Sequence, residues 1–206
     1  MHKPTLMHHV YHTRAFILGS QPFGEANTYV RLFTEDLGLI FALAQGIRRG
    51  ASKLRYSLQD FSLTNISLVR GKDIWRITSV REDLASLPLL RNWPEAFHMS
   101  ARILNLVGRL VDRDEKNESL FSIILNAYTF IQSELAQKKD LSHSLLPNLE
   151  CITVLKIIHN LGYGKDEQQL SSFVEENITE NLIVSMNTYR SLALSVINNA
   201  LTESHL

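Results

Sequence analysis

The sequence predicts an α+β chain in which a small β-barrel precedes a helical half. The hydrophobic pattern changes near residue 81, from short β-rich segments separated by turns to long stretches with helical periodicity. The formal charge changes sign at the same place, from +6 over residues 1–81 to −6 over residues 82–206. A block of strands followed by a block of helices is the α+β arrangement. We therefore predict two domains, at residues 1–81 and 82–206.

The first block contains five β-rich segments. Thr28–Thr34 and Ile74–Val80 are dense in the β-branched and aromatic residues that favour strands. Glycine-containing turns are predicted between segments, at Gln21–Glu25, Glu35–Gly38 and Arg70–Asp73. The predicted strands are Thr13–Leu18, Thr28–Thr34, Leu39–Gln45, Phe61–Val69 and Ile74–Val80. Five strands in about 70 residues match the size of an oligonucleotide-binding (OB) barrel.

The second block has the apolar spacing of amphipathic helices. The first predicted helix, at 94–111, starts at Pro94, a residue favoured at the first helical position. Gly162 follows the third and suits a helix C-terminus. The other predicted helices are Leu120–Leu135, Leu149–Leu161 and, with weaker patterns, Gln168–Asn177 and Met186–Leu201. This block is therefore predicted to be an α-helical domain.

Four common nucleotide-binding and catalytic motifs are absent from the sequence. It lacks a P-loop, a dinucleotide-binding glycine fingerprint, a zinc-protease helix motif and a nucleophile elbow. Its one cysteine, Cys151, is predicted to pack in a helix and cannot form a four-cysteine zinc site. No apolar run reaches transmembrane length, and the first 20 residues lack a secretory signal pattern. We expect a cytoplasmic protein with no metal.

A basic loop, Gly46–Tyr56, is the strongest functional signal. It carries four cations and no acid, and arginine forks suit phosphate oxygens. Tyr29, Tyr56 and Trp75 are candidates to stack on bases, whereas Phe33 is expected in the barrel core. A solvated loop with its aromatics in the core is the alternative. The predicted DNA-binding residues are Arg31, Arg48, Arg49, Lys53, Arg55, Arg70, Lys72, Trp75 and Arg76.

Four segments in the first block resemble the N-terminal domain of RecO, the bacterial recombination-mediator and DNA-repair family. They are A-F-I-L-G-S-Q-P-F-G-E-A-N (15–27), R-L-F-T-E-D-L-G-L-I-F-A-L-A-Q-G-I-R-R (31–49), L-Q-D-F-S-L (58–63) and L-V-R-G-K-D (68–73). Each segment is short, but their order is specific to the family. In the second block, L-K-I-I-H-N-L-G-Y-G (155–164) resembles the family's helix that ends in L-G-Y.

The resemblance implies a DNA-binding recombination mediator that is nucleoid-associated, is not an enzyme and has no cofactor. Such a protein binds single- and double-stranded DNA, anneals complementary strands, and works with a RecR-like protein to load the recombinase. It also binds the acidic C-terminal tail of single-strand-binding protein. Many members carry a four-cysteine zinc module after the L-G-Y helix, whereas here Lys165–Leu170 continues without cysteine. We therefore expect no zinc.

A peptide with an acidic, aromatic end needs a cation for its terminal carboxylate. We predict Arg102, Arg109 and Arg113 for this role because a continuous helix would place them on one face. Pairing of these arginines with Glu95, Asp112 or neighbouring helices is the alternative. For the whole chain, the alternatives are an RNA- or ribosome-associated OB module and a protein-interaction scaffold.

Overall fold

The computed structural model describes residues 9–48, 57–72, 74–82, 92–137, 144–163 and 167–204. The chain divides into a barrel unit, which contains all five strands, and a helical unit. Asp112–Lys116 groups with the barrel unit although it lies between two helices in the sequence. The division at residue 81 did not anticipate this segment, and the two-domain assignment stays a prediction.

Five strands close into an OB-like barrel, which confirms the predicted fold class. They are β1 (Val10–Phe23), β2 (Asn27–Thr34), β3 (Gly38–Ala44), β4 (Leu63–Arg70) and β5 (Trp75–Glu82). Their order around the barrel is β1-β2-β3-β5-β4, and only the β3–β5 pair is parallel. Each predicted strand overlaps an observed one.

The first strand is longer than its pattern predicts. A bulge between Ile17 and Gly19 shifts the register, and β1 then continues to Phe23, which pairs with Asn27. The predicted turn at Gln21–Glu25 is therefore wrong in its first half. A bulge bends a strand and breaks its alternation, so a pattern of period two ends at the bulge although the pairing continues.

The barrel interior is filled by alternate residues of the five strands, as the period of a strand requires. Ile17, Leu32, Ile40, Ile66 and Leu68 are all buried there. Phe33 lies on the opposite side of β2 from Leu32 and is fully buried, at 0 % exposure, outside the cluster that fills the barrel interior. Its expected burial is confirmed, but its expected place in the barrel core is wrong, because alternation along β2 turns it outward.

The helical unit is built around one central helix. Its elements are α1 (Pro94–Leu110), α2 (Glu118–Ala136), α3 (Leu145–Asn160), a 3-10 turn (Gln168–Leu170), α4 (Ser171–Glu175) and α5 (Glu180–Glu203). Helix α3 contacts α1, α2, α4 and α5, and is buried on nearly all sides. The last helix starts earlier than predicted because the Thr179 hydroxyl accepts a hydrogen bond from the Leu182 N–H and caps it.

Two polar side chains of α3 show how its burial is tolerated. The Lys156 Nζ donates hydrogen bonds to the Val174 and Glu176 carbonyl oxygens, and burial lowers the pKa of this amine. Burial raises the pKa of Cys151 to about 11, which keeps the thiol protonated at neutral pH.

Within the described part of the chain, no helix combines the length and apolar character needed to cross a bilayer.

Candidate nucleic-acid interface

The outer face of β1, β2 and β3 carries a cleft of about 530 Å³, which we call the barrel cleft. The strand register sets its centre, because Arg31 on β2 lies between Gly19 on β1 and Phe41 on β3. Gly19 contributes no side chain, and a Cβ built there would meet no atom within 4 Å. The cleft is lined by Gly19, Ser20, Gln21, Tyr29, Arg31, Phe41, Asp60 and Arg113.

Aromatic rings extend along this face beside the cations. Tyr29 is half-buried, and its ring centroid lies 4.4 Å from that of Phe23. Phe23 is 46 % exposed, an unusual position for a large apolar ring. Phe41 is half-buried and pairs with Arg31, which lies two residues from Tyr29 on the same side of β2. Cations interleaved with accessible rings are typical of surfaces that bind single-stranded nucleic acid.

Arg113 reaches the barrel cleft from the segment between α1 and α2. Helix α1 ends at Leu110, and Arg113 then forms a parallel bridge with Leu39 at the edge of β3. Its guanidinium carbon lies 4.2 Å from the centre of the Phe41 ring, within the range of a cation–π contact. The prediction of one helix face shared by Arg102, Arg109 and Arg113 is therefore wrong, because the helix stops before Arg113.

The basic loop begins beside the turn between β1 and β2. The Arg48 guanidinium donates a hydrogen bond to the Gly24 carbonyl oxygen at 3.0 Å, and the Gly46 N–H donates to the Asn27 side chain. Arg48 is exposed at this end of the Phe23–Tyr29 pair. The other predicted cations of the loop and its aromatic residue lie outside the described residues; they are Arg49, Lys53, Arg55 and Tyr56.

Trp75 is not available for base stacking. It is only 7 % exposed and packs in the barrel interior, with its ring centroid 5.1 Å from that of Tyr11. Its assignment as a DNA-contacting residue was wrong because β5 begins at Trp75 with its side chain turned inward. The Arg70 guanidinium lies 4.8 Å above the Trp75 ring. Trp75 therefore positions Arg70 at the turn between β4 and β5.

Arg70, Lys72 and Arg76 are exposed at that turn or just after it. Arg76 pairs in register with Leu43 of β3, and Leu43 pairs with Tyr29 of β2. Arg76, Leu43 and Tyr29 therefore lie in one row across the outer face of the sheet. Leu43 separates Arg76 from Tyr29, which lines the barrel cleft.

The arginines of α1 have different surroundings. Arg102 forms a bidentate ion pair with Glu150 of α3, with distances of 2.6 and 2.7 Å, so its charge is engaged by a neighbouring helix. The hydrogen bond to Glu150 raises the pKa of Arg102. Arg109 is exposed, and among the described residues no carboxylate lies within ion-pair distance of it. Of the two predicted arginines on α1, Arg109 is therefore the one without an ion pair to a described residue.

Sequence patterns missed several residues of the barrel cleft. Phe41 lies in a strand that is apolar on both sides, L-I-F-A-L-A (39–44), so alternation does not say which side faces outward. Arg113 lies in the polar run Asp112–Glu115, which indicates a solvated loop. Asp60 and Gln21 had no pattern that marked them. The only available signal was Gly19, since an isolated glycine in a strand suggests a bulge or a close approach.

An OB-like barrel that carries cations and rings on this face belongs to a class whose members commonly bind oligonucleotides. A family model described as "Recombination protein O N terminal" matches residues 7–82, which include all five strands. The chain is 26 % identical over 157 residues to "DNA repair protein RecO" of Clostridium novyi, covering 76 % of this chain and 58 % of the relative. It is 30 % identical over 134 residues to that of Dehalococcoides mccartyi, covering 63 % and 53 %.

The barrel of this chain, residues 7–82, thus matches the N-terminal domain of the RecO family. A third relative, "DNA repair protein RecO" of Heliobacterium modesticaldum, is 26 % identical over 75 % of this chain and 52 % of its own length. The chain thus spans about half the length of the curated relatives that it matches.

Proposed function

We propose that this chain is a recombination mediator that binds single- and double-stranded DNA through the barrel, anneals complementary strands and helps to load the recombinase. The observation that carries the proposal is the barrel cleft, in which Tyr29, Arg31 and Phe41 occupy neighbouring register positions. The names of its relatives, all DNA repair proteins, agree with this chemistry.

The proposed DNA binding combines two kinds of contact, with phosphates and with bases. Arg31, Arg48 and Arg76 neutralise phosphates, and this contribution does not depend on base sequence. Tyr29 and Phe41 stack on unpaired bases and hold them apart, so that a complementary strand can pair with them. No covalent bond is made or broken in such a process, so the proposed activity requires no catalytic residue, cofactor or metal.

The proposal is tested by fluorescence anisotropy of a labelled single strand, titrated with salt, and by an annealing assay with complementary strands. We expect Tyr29→Ala and Arg31→Ala each to weaken binding, and Arg31→Ala to lower the log–log salt slope by about 0.7. The matched controls are Tyr163→Ala and Arg109→Ala in the helical unit, which should bind DNA as the unmodified protein does. Equal losses in the controls, or tighter binding to RNA than to DNA, would contradict the proposal.

We place the partner contacts of the mediator on the helical unit. A RecR-like protein and the acidic tail of single-strand-binding protein are the partners that the similarity to RecO suggests. Arg109 is our candidate for the terminal carboxylate of that tail, because Arg102 is engaged by Glu150 and Arg113 lies on the barrel. Arg109→Glu should therefore weaken binding of a tail peptide, whereas Arg31→Glu should not. Unchanged peptide affinity in Arg109→Glu would refute this assignment.

A further inference from the structure

The segment Asp112–Lys116 is fixed on the barrel by its backbone. The Asp114 N–H donates a hydrogen bond to the Leu39 carbonyl oxygen at 3.0 Å, directly after the bridge between Arg113 and Leu39. Asp114 has a φ of 59°, in the left-handed region that aspartate adopts more readily than most non-glycine residues. The bridge and the hydrogen bond hold the backbone of Arg113 beside Leu39 at the edge of β3.

The side chain of Arg113 packs on Phe41 and borders the barrel cleft. Its guanidinium lies over the Phe41 ring at 4.2 Å, and the residue is exposed and lines the barrel cleft. The guanidinium thus contacts Phe41 on one side and can be reached by a ligand in the cleft. A planar guanidinium stacks on a nucleobase as an aromatic ring does, which a lysine ammonium cannot do.

We propose that Arg113 is the residue that makes the barrel cleft selective for single-stranded over duplex DNA. An unpaired base stacks on the face of its guanidinium opposite Phe41 and forms a three-layer stack of Phe41, Arg113 and the base. The bases of a duplex are already stacked within the helix, so a duplex offers Arg113 only its phosphates. This inference rests on the proposed DNA binding by the barrel.

The test separates stacking from charge. Labelled single-stranded DNA and the matching duplex are titrated against Arg113→Lys, Arg113→Ala and the control Arg190→Lys, which lies on α5 of the helical unit. Arg113→Lys keeps the charge and should weaken single-strand binding about tenfold, with the salt slope and duplex affinity unchanged. Arg113→Ala should weaken the binding of both ligands and lower the single-strand slope by about 0.7. Arg190→Lys should bind both ligands as the unmodified protein does.

A second probe compares two strands on the unmodified protein, so its first comparison does not depend on a variant that folds. The unmodified protein should bind a normal single strand more tightly than an abasic strand of equal length, and Arg113→Lys should lose most of this preference. Single-strand affinity in Arg113→Lys equal to that of the unmodified protein would overturn the stacking role, as would equal affinity of the unmodified protein for the two strands. An unmodified protein that binds no DNA at all would instead refute the proposed function.

Discussion

Replacing Gly38 with alanine should release the Asp112–Lys116 segment from the barrel. Gly38 has a φ of 68°, and a Cβ built there would overlap the Glu115 carbonyl oxygen and lie 2.5 Å from its carbonyl carbon. Both obstacles are backbone atoms, which cannot move aside as a flexible side chain does. The segment must therefore move away from β3, or Gly38 must leave its position in the strand.

The expected loss of stability in Gly38→Ala is the backbone cost of alanine plus the contacts that the displaced segment no longer makes. Alanine in the left-handed region costs about 1–2 kcal/mol. Displacing the segment also removes the Asp114–Leu39 hydrogen bond, at about 0.5–1.5 kcal/mol, and the Arg113–Phe41 contact, at about 0.5–1 kcal/mol. We expect Gly38→Ala to lower the free energy of unfolding by about 2–4 kcal/mol in total.

Gly24 provides a matched control, because its φ of 61° is nearly the same and a Cβ there would meet nothing within 4 Å. Gly24→Ala should therefore lose only the backbone cost of about 1–2 kcal/mol. The assay is urea denaturation of both variants, with single-strand binding measured on the folded proteins. Gly38→Ala should also bind DNA as weakly as Arg113→Ala. Equal destabilisation by the two substitutions would refute the reasoning.

Three further predictions concern charge and burial. The hydrogen-bonded pair with Arg14 lowers the pKa of Glu35, so its stabilisation is present above about pH 4.5 and is lost as the pH falls through the lower folded-state value. Both side chains are about one-third exposed, so Glu35→Gln should lower the free energy of unfolding by less than about 1 kcal/mol at pH 7 and should not change it at strongly acid pH. Urea denaturation at the two pH values measures this, and an equal loss at both would contradict the prediction. Cys151, 3 % exposed, should react with iodoacetamide at pH 8 far more slowly in the native protein than in urea, and equal rates would contradict its burial. Replacing the four cations of the basic loop with alanine should lower the log–log salt slope of single-strand binding by about 3. These cations are Arg48, Arg49, Lys53 and Arg55. An unchanged slope would show that the loop is only solvated.

The strands and the longer helices were predictable because their local patterns agree with their final environments. Thr28–Thr34 is rich in β-branched and aromatic residues, and it became β2 with a boundary shifted by one residue. Lys156 shows a limit of this reasoning, since its burial depends on two carbonyl oxygens from a distant segment. A pattern in one segment cannot report such a partner.

The candidate site was predictable only in part. Arg31 is among the predicted cations and lines the barrel cleft, but its neighbour Phe41 lies in a strand that is apolar on both faces. Trp75 was misassigned because composition does not say which side of a strand faces the core. Arg113 was placed on a helix because charge spacing was extended past Leu110, where the helix ends. Contacts between segments distant in sequence decided each of these cases.

The central claim is that single-stranded DNA binds on the outer face of β1, β2 and β3. Photo-crosslinking of the unmodified protein to a strand that contains bromodeoxyuridine, followed by peptide mapping, tests it most directly. The account predicts crosslinks at Tyr29, Phe41 or Phe23, reduced by high salt in parallel with binding. Crosslinks confined to the helical unit, with none in the strands of the barrel, would contradict it.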